Sequence, residues 1–302
     1  MVSVFHTALA PLDAGSLVTA WSLQPLALVA AAAFAAWYVR CAGSADHWPL
    51  RRWVAFGGGV LALLWTTNGW PQAYGRTLFW VFTTQILLLL LVVPVIIMAA
   101  QPLRLLGRRP RLGPLESPLV GPLVVPVVTS LLLFGPVPGW ASGNAVADWT
   151  LQLAVLLLGA AIAIPLVQPD ESTTALAVGA GLALGIVELL LDAIPGIVMR
   201  LYTHVASTFF DARSADLAAA IHAMRPLADQ QRAGAILWAV AESLDAPFIV
   251  LIFVRWIRAD ARDAAAIDTV LDAEEIARGD AEPAANEPWW LSDPALRHRF
   301  RD

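Results

Sequence analysis

The 302-residue chain contains no lysine and a single cysteine, Cys41. One cysteine excludes an intrachain disulfide and any cysteine-based metal cluster. Charge is scarce: charged residues are 14% of the chain and hydrophobic residues 58%, against about 25% and 45–50% in a typical soluble domain. That balance argues against an ordinary soluble domain. A glycine-rich phosphate loop and a nucleophile elbow are both missing, so nothing in the sequence points to an enzyme. No basic stripe suggests nucleic acid. No arginine precedes Arg40, so the start of the chain lacks the charged region of a signal peptide.

What the chain does have is long apolar runs. Residues 77–100 read TLFWVFTTQILLLLLVVPVIIMAA, 24 residues without a charge. As a helix, at about 1.5 Å per residue, this segment crosses a hydrocarbon core of roughly 30 Å. The pattern predicts an all-α fold, a polytopic membrane helix bundle with about seven spans. They fall near 22–39, 53–69, 77–100, 119–138, 149–167, 173–199 and 234–255. The fourth holds Pro122, Pro126, Pro136 and Pro138, so it should be kinked.

Arginines set the expected orientation. Arg40, Arg51 and Arg52 fall in one loop, and Arg104, Arg108, Arg109 and Arg111 in another. Arg255, Arg258 and Arg262 follow the last span. With seven spans all three groups share the cytoplasmic side, which puts the N-terminus outside and the C-terminus inside. The net charge of −5 belongs to the end of the chain, because residues 259–302 hold 11 acidic and 5 basic side chains. The expected division is a membrane domain over 1–258 and a cytoplasmic extension over 259–302. The extension begins as a helix and ends in an acidic, flexible tail. SADLAAAIHAM, in the loop 200–233, reads as a short interfacial helix. Trp289-Trp290 in the tail is a candidate anchor on the membrane or on a partner.

Four carboxylates lie at or within apparent spans: Glu188, Asp192, Glu242 and Asp245. Charge at bilayer depth is costly and points to function by default. Glu188 and Asp192 are four apart and share a helix face, while Glu242 and Asp245 fall near the midplane. Such a set suits cation binding, a proton relay or a polar knot between helices. Soft ligands suited to copper(I) are few. Met199, His204, His222 and Met224 are the candidates for a metal site on the outer face.

Several stretches together resemble one family. These are WSLQPLALVAAAAFAAWYVR, WPLRRWVAFGGGVLALLW, LLLLLVVPVIIM and Asp229-Gln230-Gln231-Arg232-Ala233-Gly234-Ala235-Ile236-Leu237-Trp238. The last is close to a D-Q-Q-x-x-G-x-x-M-W pattern. The chain resembles the CtaG-type cytochrome c oxidase assembly proteins of bacteria, and the closing WWLSDPALRHRFRD is similar to actinobacterial members. The resemblance implies about seven helices in the plasma membrane and help in maturing a heme-copper oxidase, copper delivery being the usual proposal. Its implied partners are the lipid bilayer and the subunits of a respiratory oxidase.

The chain departs from the family where copper would be held. The family's third span reads H-M-x-Q-H. Aligned on Gln85, this chain has Phe82, Thr83, Thr84 and Ile86 around it. A family histidine in the fifth span falls at or near Gln152, and a family methionine falls at Leu237. The expectation is an assembly or accessory factor that acts through protein contacts without these copper ligands. The alternatives are a copper chaperone with an outer-face site and a proton-linked transporter or complex subunit that uses the intramembrane carboxylates.

Overall fold

In the computed structural model, described for residues 12–45, 47–106, 120–167, 175–206, 210 and 225–277, long helices follow one another and no strand occurs among the described residues. The long helices are α1 Pro25–Gly43, α2 Leu50–Asn68, α3 Phe79–Ala99, α4 Val120–Phe134, α5 Ala145–Val167, α6 Ala175–Leu201 and α7 Pro226–Ala277. Each overlaps one of the segments expected from the sequence. Three are long and apolar enough to cross a membrane: Pro25–Gly43, Phe79–Ala99 and Ala145–Ile164.

Two boundaries differ from expectation. α4 stops at Phe134 instead of running to 138, because Gly135-Pro136 ends it and a new short helix starts at Val137. α7 starts at Pro226, ahead of the expected 234, and is one helix of 52 residues, about 78 Å long, which continues past the last apolar segment as the sequence suggests. The SADLAAAIHAM segment and the tail with Trp289-Trp290 lie outside the described residues.

α3 is the centre of the bundle. Inside the protein, 61% of its apolar window is buried, against 22% for α1 and 39% for α5. Its Phe79, Phe82, Ile86, Leu89, Leu90, Val93 and Ile97 form one core with Leu63, Leu151, Val155 and Leu237. α7 packs on its first half, and α2 and α5 on its second, while α6 and α7 form the most extensive helix pair.

Close packing in α3 starts from a proline. Pro94 has no N–H to donate to the Leu90 carbonyl four residues back. Residues Leu88–Val92 take a π turn there, a register shift that a missing helical bond permits. The Leu90 carbonyl and the Pro94 ring press against Gly159 of α5, where any Cβ would clash with both. Gly59 plays the same part on α2, since a Cβ there would meet Ile97 Cγ1 at 2.7 Å. Of Gly57-Gly58-Gly59, only Gly59 is demanded by space. Gly196 and Gly234 bring α6 and α7 together, with a Cβ at Gly234 falling 2.7 Å from the Gly196 carbonyl oxygen.

The helices end in two chemically different clusters. At one end, here the amide end, Gln24, Asn68, Gln72 and Asp148 gather where α1 and α5 begin and α2 stops. At the other, the aromatic end, Tyr38, Phe56 and Ala100 pack where α1 and α3 stop and α2 begins.

Candidate functional site: the buried amide cluster

Asp148 sits in the first turn of α5, where the helix dipole favours a carboxylate. Asn144 precedes that helix and its Oδ1 accepts the Ala147 N–H at 2.8 Å. The turn is therefore held in place before Asp148 is used. Asp148 Oδ2 accepts from Gln24 Nε2 at 2.6 Å, from Gln72 Nε2 at 2.7 Å and from the Arg76 guanidinium. Its Oδ1 accepts from Gln152 Nε2 at 3.0 Å, one turn along the same helix. The Asp148 side chain is 12% exposed and that of Arg76 41%, so the ion pair reaches from the interior to the surface.

The network continues inward through Gln72. Its Oε1 accepts from Gln85 Nε2 and from Gln152 Nε2, both at 2.7 Å. Gln85 Nε2 also donates to the Thr66 carbonyl at 3.1 Å. On the side of α1, the Gln24 N–H donates to Asn68 Oδ1 at 2.7 Å. Gln24, Asn68, Gln72, Gln85 and Gln152 are all buried. Buried amides persist only when their polar atoms are paired, and here they pair mostly with one another. Gln152 Oε1 and Thr83 Oγ1 are buried without a protein partner among the described residues. A cavity of about 20 Å³ lies between Gln72, Arg76, Gln85 and Asp148, walled by Phe82 and Pro138. It is large enough for a water molecule.

The structure thus brings together Gln85, the glutamine on which the third-span motif is aligned, and Gln152, where the resemblance puts a histidine, and joins both to Gln72. Phe82 and Ile86 are buried in the core, and the Phe82 ring packs on Phe210 with centroids 5.5 Å apart. Neither side chain can ligate a metal. The cluster's donor set is amide, carboxylate and hydroxyl, and a guanidinium already neutralises the carboxylate. Copper(I) prefers thiolate, thioether and imidazole, so these residues do not fit it.

Sequence reasoning missed Asp148, Gln72, Gln24 and Arg76. The available signal was Asp148 four residues before Gln152 at the start of an apolar helix.

The Asp229-Gln230 pair closes a second junction. Asp229 Oδ2 accepts the Phe79 N–H at 2.8 Å and Oδ1 the Trp80 N–H at 3.0 Å, so α7 caps the start of α3. Burial pushes the Asp229 carboxyl above the usual range. The Trp80 and Phe79 amides and Arg232 pull it back by less. Gln230 is fully buried. Its Oε1 accepts the Ala206 N–H at 2.6 Å and its Nε2 donates to the His204 carbonyl at 3.0 Å. Gln231 is half-buried. Leu237 is buried and Trp238 is 38% exposed.

The other expected site residues are dispersed or only partly described. Met199 is fully buried against Gly234, whereas His204 is exposed with its ring bonded to Thr203 Oγ1 at 3.0 Å. His222 and Met224 lie outside the described residues. No group of three His, Cys, Asp or Glu suited to a metal occurs among the described residues. Glu242 is exposed on α7 and accepts from Trp238 Nε1. Glu188 and Asp192 lie on α6 and Asp245 on α7, but their side chains are not among those described.

Comparison with curated proteins and with solved structures gave no match. A family model does match: that of the cytochrome c oxidase caa3 assembly factor (Caa3_CtaG) fits residues 19–259, which is most of the chain, and the protein belongs to this family.

Proposed function

We propose that this chain assists assembly of a caa3-type respiratory oxidase through protein contacts, and that its amide cluster takes the structural place of the family's intramembrane copper site. The observation that carries the reading is the pairing of Gln85 and Gln152 with Gln72 and, through it, with Asp148. Gln152 stands where one family histidine would and is tied into this amide network, while the other two histidine positions are Phe82 and Ile86, which cannot ligate a metal. A bundle locked in this way keeps a fixed outer shape, which suits a scaffold for a partner subunit.

In this reading all seven long helices span the plasma membrane, with the N-terminus outside. Arg40, Arg51, Arg52 and Arg104 then gather at the aromatic end, on the cytoplasmic side. The amide cluster and Asp229 lie toward the outer face. Antiparallel succession of α1, α2 and α3 between the two ends supports this arrangement.

The test is genetic. A strain lacking the protein should contain less assembled oxidase, measured from heme difference spectra of its membranes. Wild-type protein should restore it, and Asp148→Ala, which breaks the cluster, should not. Normal oxidase content in the deletion strain would overturn the proposal.

A further inference from the structure

The aromatic end carries a basic cluster that the assembly role does not use. Arg52 begins α2 with its guanidinium over the Trp48 ring, 4.4 Å from the centroid. Its Nε is buried and, among the described residues, has no hydrogen-bond acceptor. The ring contact restrains the guanidinium at the start of α2. The positions around it are fixed. Tyr38 OH lies 3.0 Å from the Ala100 carbonyl and 3.4 Å from that of Arg52, and it accepts from Trp48 Nε1 at 2.9 Å. This holds the start of α2 beside the end of α3. Next to Ala100, Gln101 takes a positive φ of 54°, a conformation rare outside glycine. Its buried Oε1 has no donor among the described residues.

Two more arginines lie close by: Arg51 is the chain neighbour, and Arg104 follows Ala100, whose carbonyl shares the Tyr38 hydroxyl with that of Arg52. Arg52 is held below the ordinary arginine range first by burial and then by the charges of Arg104 and Arg51. Both neighbours keep their side chains open to solvent at least in part, and among the described residues none of the three pairs with a carboxylate. Three neighbouring like charges without a carboxylate partner among the described residues ask for an anion. The rim identifies its source. Leu50, Val54 and Leu106 beside these arginines are 76%, 66% and 55% exposed, apolar surface that acyl chains can cover. Free phosphate has no use for that surface.

We propose that this end of the bundle binds the phosphate of an anionic phospholipid. The exposed Arg51 and Arg104 supply the cations that meet the phosphate, the Arg52 guanidinium adds its charge beside them, and Leu50, Val54 and Leu106 seat the chains. The proposal rests on the chain lying in a membrane and is independent of any role in oxidase assembly.

The test is native mass spectrometry of the full-length protein released from detergent. Phosphatidylglycerol and phosphatidylcholine are each titrated in, with and without inorganic phosphate. Phosphatidylglycerol should bind at least about tenfold more tightly, and Arg51→Gln and Arg104→Gln should each weaken it about fivefold, as expected for one interfacial charge. These two positions leave the Trp48 contact intact. They therefore keep the test valid if Arg52→Gln does not fold. Equal binding of the two lipids, or unchanged preference in the Arg51→Gln/Arg104→Gln double variant, overturns the proposal. Full displacement of the lipid by inorganic phosphate assigns the site to the free ion and also overturns it.

Discussion

The amide end and the aromatic end both close helix termini, by opposite means. At the amide end one carboxylate, Asp148, collects donors from α1, from the segment after α2 and from α5. At the aromatic end a single hydroxyl, that of Tyr38, works inside a stack of rings. The Tyr38 and Phe56 rings lie 3.7 Å apart and nearly parallel, and Trp53 meets Tyr38 edge-on. The first end is held by charge and hydrogen bonds, so losing its centre strands several buried donors together. The second is held mostly by apolar area, so losing its hydroxyl strands few. The difference teaches where polar specificity is concentrated. It lies at the end that includes the family's histidine positions.

The comparison can be broken most severely at Asp148. Asp148→Ala leaves Arg76, Gln24 and Gln72 without their acceptor, and should cost about 3 kcal/mol, read from thermal unfolding in detergent. A loss below that of Tyr38→Phe would remove the contrast between the two ends. Gly159→Ala tests the packing between them. The added methyl meets the Leu90 carbonyl and Pro94, and should cost about 2 kcal/mol.

Asp229→Ala removes the cap on α3 and should cost about 1–2 kcal/mol. The folded protein holds the Asp229 carboxyl above its ordinary value. Its contribution is therefore fully present below the ordinary aspartate range and is lost as pH rises through the folded value. Wild-type stability should carry that downward step with rising pH, and Asp229→Asn should flatten it. Tyr38→Phe keeps the ring stack, loses the bond to Ala100 and should cost about 1 kcal/mol. Glu242→Gln is the smallest change. The side chain is exposed and partnered only locally by Trp238, so the shift should stay within about 0.5 kcal/mol.

The helices were legible because apolar runs of membrane length are hard to mistake. The residues 77–100 and α3 at Phe79–Ala99 nearly coincide. The continuation of α7 past its apolar segment was legible too, but its start at Pro226 was not, because the Asp229-Gln230-Gln231-Arg232 stretch ahead of the apolar run is polar. The site divides in the same way. Gln85, Asp229 and Gln230 stood in recognisable motifs, and the structure gives each a hydrogen-bond partner from another segment. Asp148 and Gln24 lie 124 residues apart, and each alone reads as an ordinary polar residue at the end of a helix. Only packing shows that they share a centre. Glu242 drew attention as a carboxylate within a span, yet it sits on the outside of its helix.

The central claim is that the cluster around Gln72 has replaced a copper site. Titration of the purified protein with copper(I) against a competing chelator tests it most directly, with Gln85→Ala and Gln152→Ala measured alongside. The account predicts no copper binding that depends on either glutamine. One tightly held copper per chain, lost in both variants, would contradict it.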